Sequence, residues 1–149
     1  MFKKRTLSTA LHAISKSYPV ILVTGPRQIG KTTLLEHAKA RSMKYVTLDD
    51  FTQAEIAKSD PMLFLQMHQP PVIIDEVQYA QDLFRAIKIY VDREKKPGMF
   101  WLTGSQKFHL MQGITETLAG RVAILDMLGM SQAEINNRAD TTPFLLTRD

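Results

Sequence analysis

Gly25-Pro26-Arg27-Gln28-Ile29-Gly30-Lys31-Thr32 places two glycines ahead of a lysine and a threonine in the spacing GxxxxGK[ST]. Glycine lets the backbone curl tightly, so that successive N–H groups converge on phosphate oxygens. In that arrangement Lys31 reaches the β- and γ-phosphates of a nucleotide and the Thr32 hydroxyl ligates magnesium. The expected nucleotide-binding set is Gly25, Pro26, Arg27, Gln28, Ile29, Gly30, Lys31, Thr32 and the adjoining Thr33. A second chemical signal is Val72-Ile73-Ile74-Asp75-Glu76, an apolar run that ends in two carboxylates. Hard cations take carboxylate oxygen, so Asp75 is the expected magnesium ligand beside Thr32. Glu76 is placed to polarise the water that attacks a γ-phosphate, a general-base role.

Two further polar residues stand at the ends of apolar runs. Ser105, after Phe100-Trp101-Leu102-Thr103-Gly104, could hydrogen-bond the attacking water or the γ-phosphate, or cap the next helix. Arg121 precedes Val122-Ala123-Ile124-Leu125. It could act as an arginine finger on a neighbouring subunit's nucleotide, which implies a homo-oligomer, or form a structural ion pair. At the acidic strand end the D-x-x-G switch of a guanine-nucleotide enzyme is not formed, since Asp75 is followed by Glu76-Val77-Gln78, and the nearest approach to its N-K-x-D motif, Asn137-Arg138-Ala139-Asp140, lacks the lysine.

These residues need a scaffold that brings strand ends together. Short all-apolar runs suit strands buried on both faces of a parallel sheet. Val20–Val23 is such a run, and further mainly apolar strands are expected at Tyr45–Leu48, the weakest, and at Val72–Asp75, Met99–Thr103 and Val122–Leu125. Between them, helical spacing of apolar residues predicts helices over 5–17, 31–40, two short ones within 51–69, 82–94 and 107–118. Asp60-Pro61 reads as an N-cap followed by proline in the first helical position. Alternating strands and helices predict an α/β domain with right-handed crossovers. After Ala139 no periodicity is visible, and an irregular tail is expected over 139–149.

Composition narrows the alternatives. The 149 residues suit one domain with a substantial core, and no apolar window approaches the length of a membrane span. Absence of cysteine excludes disulfides and thiolate metal sites. His12, His37, His68 and His109 are scattered, without metal-ligand spacing. The basic start is followed by a stretch too polar for a secretory signal, so a cytoplasmic location is expected. No acid precedes Glu36, whereas Lys3, Lys4, Arg5, Lys16, Arg27 and Lys31 do. A solvated basic helix beside a phosphate site explains this; a nucleic-acid surface is the less favoured reading.

In combination, GPRQIGKTTLL, YVTLDD, PPVIIDEVQ, LTGSQKF and ETLAGRVAIL resemble the bacterial and archaeal AAA-like ATPases that usually carry an uncharacterised C-terminal domain. The resemblance covers residues 5–135. It implies a P-loop NTPase three-layer sandwich with a five-stranded parallel sheet of the additional-strand type. The strand ending near Ser105 would then lie between those bearing the phosphate loop and Asp75. The resemblance also implies that Lys31, Thr32, Asp75, Glu76, Ser105 and Arg121 occupy the family's nucleotide positions, with ATP and magnesium as cofactors. Residues 1–138 would form the ATPase core, and the family's C-terminal domain would be missing. The expected function is magnesium-dependent ATP hydrolysis that drives or gates an unknown protein partner. The alternatives are a nucleotide-binding switch with little hydrolysis, a nucleic-acid-associated ATPase and, more weakly, a small-molecule kinase.

Overall fold

The computed structural model describes residues 3–105 and 107–139, and of residues 107–109 the backbone alone. The expected residues 140–149 of the tail lie outside the described residues. Five strands form one parallel sheet: β1 (Val20–Thr24), β2 (Lys44–Thr47), β3 (Val72–Asp75), β4 (Phe100–Gly104) and β5 (Val122–Asp126). Their order is β2-β3-β4-β1-β5. β4 therefore separates β1 from β3, as the additional-strand topology requires. Val23 pairs with Thr103 and Thr24 with both Gly104 and Asp126, which aligns the chemically interesting ends of β1, β4 and β5.

Helices cover both faces. α1 (Leu7–Ile14) and α2 (Lys31–Ala38) pack on one side; α3 (Phe51–Ser59), α4 (Pro61–Met67), α5 (Leu83–Glu94) and α6 (Lys107–Leu118) pack on the other. Residues of a strand alternate between faces, and β1 shows it: Val20 and Leu22 face α3–α6, while Ile21 and Val23 face α1 and α2. All five residues of β1 are buried, the reason its sequence is a continuous apolar run. Phe64, Phe84 and Phe100 fill the larger core beneath α4 and α5.

The expected elements are present with shifted ends. α1 is shorter than the predicted 5–17 because Arg5 is drawn into a buried ion pair and the chain turns after Ile14. Asp60 caps α4 by accepting the Leu63 N–H at 2.9 Å, with Pro61 in the first turn. Asp50 caps α3, accepting from Thr52 and Gln53. Two elements were not visible in the periodicity: a 3-10 turn at Val77–Tyr79, and α7 (Gln132–Ile135), which carries a capping box between Ser131 and Glu134. No helix among the described residues is long and apolar enough to cross a membrane.

The N-terminal cations do not form one solvated surface. Arg5 is buried, 3.2 Å from Glu134, and donates to the carbonyls of Ile29 (3.1 Å) and Leu128 (2.7 Å). Lys3 donates to the carbonyl of Ile135. Both residues belong to the sheet edge that carries the phosphate loop, whereas Lys16 lies just before β1 at the opposite edge.

Candidate functional site

β1 delivers Gly25 at the carboxyl edge of the sheet, and α2 begins at Lys31. The intervening turn uses positive φ at Gly25 (146°), Gln28 (60°) and Gly30 (92°). A Cβ on Gly25 would lie 2.3 Å from the Met127 carbonyl oxygen, so only glycine fits against the segment after β5. Lys31 is buried, and its Nζ donates to the carbonyls of Gly25 (3.1 Å) and Pro26 (2.7 Å), closing the side chain over its own loop. Desolvation holds its ammonium below the ordinary lysine range, although the carboxylates of Glu76 and Asp75 pull the other way. Pro26, Arg27 and Gln28 form the exposed rim, and Ile29 packs inward against the core beneath α1 and α2. Thr33 is exposed on α2, with its carbonyl 2.9 Å from His37 Nδ1.

The β3 strand brings Asp75 to the same edge, 5% exposed. Thr32 Oγ1 donates to Asp75 Oδ1 at 2.8 Å, joining α2 to β3 across the strand between them. Thr103 Oγ1 donates to the same oxygen, and the Tyr45 hydroxyl donates to Oδ2 at 2.9 Å. Burial and the adjacent Asp75 carboxylate push the Tyr45 phenol far above its usual range, so it stays a donor. The Asp75 and Thr32 oxygens form a hard, anionic donor pair. This suits magnesium, which takes few protein ligands and completes its shell with water and phosphate.

Glu76 follows with φ 59°, in the left-handed region that a non-glycine residue enters at a cost. Its N–H donates to Thr103 Oγ1 at 2.9 Å, so one buried threonine hydroxyl ties together both acids of the pair. The Glu76 carboxylate accepts from Ser105 Oγ at 3.2 Å and from Gln78 Nε2. Gln78 Nε2 also lies 3.2 Å from Ser105 Oγ. The other amide atom, Gln78 Oε1, is buried and has no partner among the described residues. A Cβ on Gly104 would lie 2.1 Å from Leu110 Cδ2 and 3.3 Å from Gln78 Oε1, so the glycine makes room first for Leu110.

Lys31, Thr32, Asp75, Glu76 and Ser105 thus converge on one edge. Arg121 does not. It stands at the start of β5, where Val122 pairs with Val20, about 16 Å of strand away from the phosphate-loop end. There it forms a two-pronged ion pair with Asp92, with Nη2 3.0 Å from Oδ2, while Nη1 donates to the Ala119 carbonyl. Three residues of the site were not singled out from the sequence. Thr103 left a signal, since a hydroxyl in an otherwise apolar buried strand must find partners. Gln78 and Tyr45 left none, because their nearness to the acids depends on the 3-10 turn and on β2 lying beside β3.

Comparison with known proteins agrees with this architecture. A family model described as AAA domain matches residues 17–136. Uncharacterized proteins of Mycobacterium bovis and Mycobacterium tuberculosis are each 33% identical over 140 residues, a match covering 93% of this chain and 32% of theirs. The chain thus spans about a third of the length of these relatives. Among solved structures, AMPPCP-bound DnaA from Aquifex aeolicus superimposes with TM-score 0.54 at 21% identity, covering 87% of this chain and 47% of that one. The DnaC helicase loader does so with TM-score 0.51 at 14% identity, covering 86% and 94%. At these identities the structural likenesses concern the fold. With the family model spanning most of its length, the chain belongs to the AAA domain family of nucleotide-binding ATPases.

Proposed function

We propose that this chain binds ATP with magnesium through Gly25–Thr33 and Asp75, and hydrolyses it with Glu76 as general base. The observation that carries the reading is the pair of acids at the end of β3, one saturated by Thr32, Thr103 and Tyr45, the other held by Ser105 and Gln78. Lys31 would exchange its two loop carbonyls for phosphate oxygens, regaining in charge neutralisation what burial costs its ammonium. Thr32 and Asp75 would hold magnesium, which supplies neutralisation of phosphate charge when bound. Glu76 Oε2 would take the proton of the water that attacks the γ-phosphorus, as the bond to the β-bridging oxygen breaks. Ser105 would orient that water, and the unpartnered Gln78 Oε1 supplies an acceptor beside it.

Arg121 lies too far from its own phosphate loop to serve it, so its finger role requires a second copy of the chain, with Asp92 as its resting partner. A protein partner, beyond such copies, would be driven or gated by the cycle. A nucleotide-binding switch with little hydrolysis is the second reading. It is favoured by the Glu76 carboxylate being bonded by two neighbours at once.

The test is a calorimetric titration with ATP and magnesium on the parent chain and on Lys31→Ala, followed by single-turnover phosphate release by the parent and by Glu76→Gln. Binding abolished in the first variant, and release slowed by about a hundredfold or more in the second, is the expected result. Tight binding without phosphate release by the parent would decide for the switch. Undiminished binding by Lys31→Ala would overturn both readings.

A further inference from the structure

In a fully parallel sheet all the connections leading into the strands lie at one edge, and here that edge is the one opposite the phosphate loop. Those connections span residues 15–19, 39–43, 68–71, 95–99 and 119–121. They contain Lys16, Lys39, Arg41, Lys95, Lys96 and Arg121, and no aspartate or glutamate. Of the chain's 19 basic and 15 acidic residues, these five loops thus hold six cations and no acid. The loops at the opposite edge carry Asp49, Asp50, Glu76 and Asp82 with the cation Arg27, and Lys3, Arg5 and Lys31 also stand at that edge. Each helix has a local reason to end in cations, because its carboxyl end bears partial negative charge. Parallel topology then collects these ends into one basic face.

We propose that this face binds the phosphate backbone of duplex DNA. Of the acids in the last helical turns beside this face, those of α5 are engaged: Asp92 with Arg121, and Glu94 with Arg93 and Lys96. Glu36 and Glu116 stand likewise in the last turns of α2 and α6, where the cations Lys39 and Arg121 follow them in sequence. Lys16, Lys39 and Arg41 form no ion pair among the described residues, and Lys16 and Arg41 are exposed. Lys16, Lys95 and Lys96 line a groove of about 470 Å³ with Ser17, Pro97 and a single acid, Asp92, the partner of Arg121. Five strands at about 4.8 Å spacing make the edge roughly 20 Å wide, enough to meet several phosphates. A single strand would need aromatic platforms, and a lipid surface would need apolar side chains to insert. Among the exposed large hydrophobic residues of the described chain, only Tyr18 stands in these loops. Burial of His68 and the nearby Lys44 hold its imidazole below the ordinary histidine range, so it adds little positive charge.

Fluorescence anisotropy of a labelled duplex of mixed sequence, titrated with the full chain across a salt series, tests the proposal. Each phosphate contact removed should flatten the slope of log affinity against log salt by about 0.9. The triple variant Lys16→Ala/Lys95→Ala/Lys96→Ala should therefore lose about 2.7 from that slope and weaken binding by about tenfold or more at low salt. It should keep the parent's thermal stability and nucleotide affinity, so the result is independent of the ATPase reading. Absence of duplex binding at low salt would overturn the proposal. So would an unchanged salt slope in the triple variant, or loss of binding to a single-stranded oligonucleotide or to anionic vesicles but not to the duplex.

Discussion

At the scale of single residues, the site is organised by Thr103 as much as by the acids on either side of it. Its hydroxyl, fully buried, donates to Asp75 and accepts from the Glu76 N–H, so it fixes the direction of one carboxylate and the unusual backbone of the next residue. Valine has nearly the same shape and can do neither. Thr103→Val should cost about 1–3 kcal/mol of stability, the usual consequence of orphaning a buried polar group. It should also slow phosphate release more than it weakens ATP binding, since Lys31 and the loop glycines remain intact. Chemical denaturation and a binding-against-turnover comparison would check this. Equal loss of affinity and rate would show that the threonine merely supports the fold.

At the scale of elements, the phosphate loop is braced from outside by segments far away in sequence. Met127 crowds Gly25, and Arg5 grips the Ile29 carbonyl, the Leu128 carbonyl and the Glu134 carboxylate. The Arg5 Nε–Glu134 approach is 3.2 Å but off the axis of a hydrogen bond, so it is a charge contact. Burial works against the Glu134 charge, but the N–H groups of Ser131 and Thr6, with Arg5, outweigh it and hold the carboxyl below the ordinary glutamate range. A depressed carboxylate contributes stability above its unfolded value and loses it as pH falls through the folded value. Glu134→Gln should therefore cost on the order of 3 kcal/mol at neutral pH by leaving Arg5 buried without its counter-charge. The gap from the parent should narrow in acid, as pH falls below the ordinary glutamate range and through the depressed folded value, which denaturation midpoints across a pH series would show. A gap that stays constant into acid would mean that the ion pair does not anchor α7.

At the scale of the whole molecule, the sheet separates two kinds of chemistry. The paired acids, the phosphate loop and Ser105 occupy one edge; Arg121, with Lys16, Lys39, Arg41, Lys95 and Lys96, occupies the opposite one. A guanidinium at that distance can act on a nucleotide only when another copy of the chain presents it. ATPase activity per molecule should then rise with protein concentration, and Arg121→Ala should flatten that rise while leaving ATP binding unchanged. Steady-state assays over a wide concentration range measure both. Activity independent of concentration and unaffected by the substitution would leave Arg121 as a surface ion pair with Asp92.

Much of this was legible in the sequence, for reasons that differ by residue. Gly25, Gly30, Lys31 and Thr32 are contiguous, so their spacing carries their chemistry directly. Asp75 and Glu76 end an apolar run, and a buried parallel strand must present its polar terminus at the sheet edge. Asp60-Pro61 marks a helix start because capping is local. What periodicity could not supply was the lateral order of the strands. That order follows from the packing of helices on both faces and decides that Tyr45 and Thr103 reach Asp75. Gln78 meets Glu76 and Ser105 through a left-handed residue and a 3-10 turn that no hydrophobic pattern encodes. Arg5 looked like one cation in a basic start, yet it is buried against an acid more than a hundred residues away. The sequence by itself determined the chemistry available, because phosphate loops, acidic strand ends and caps are written in neighbouring residues. Only the tertiary structure decided which of those groups share an edge, because side-by-side pairing of strands depends on burial across the whole sheet.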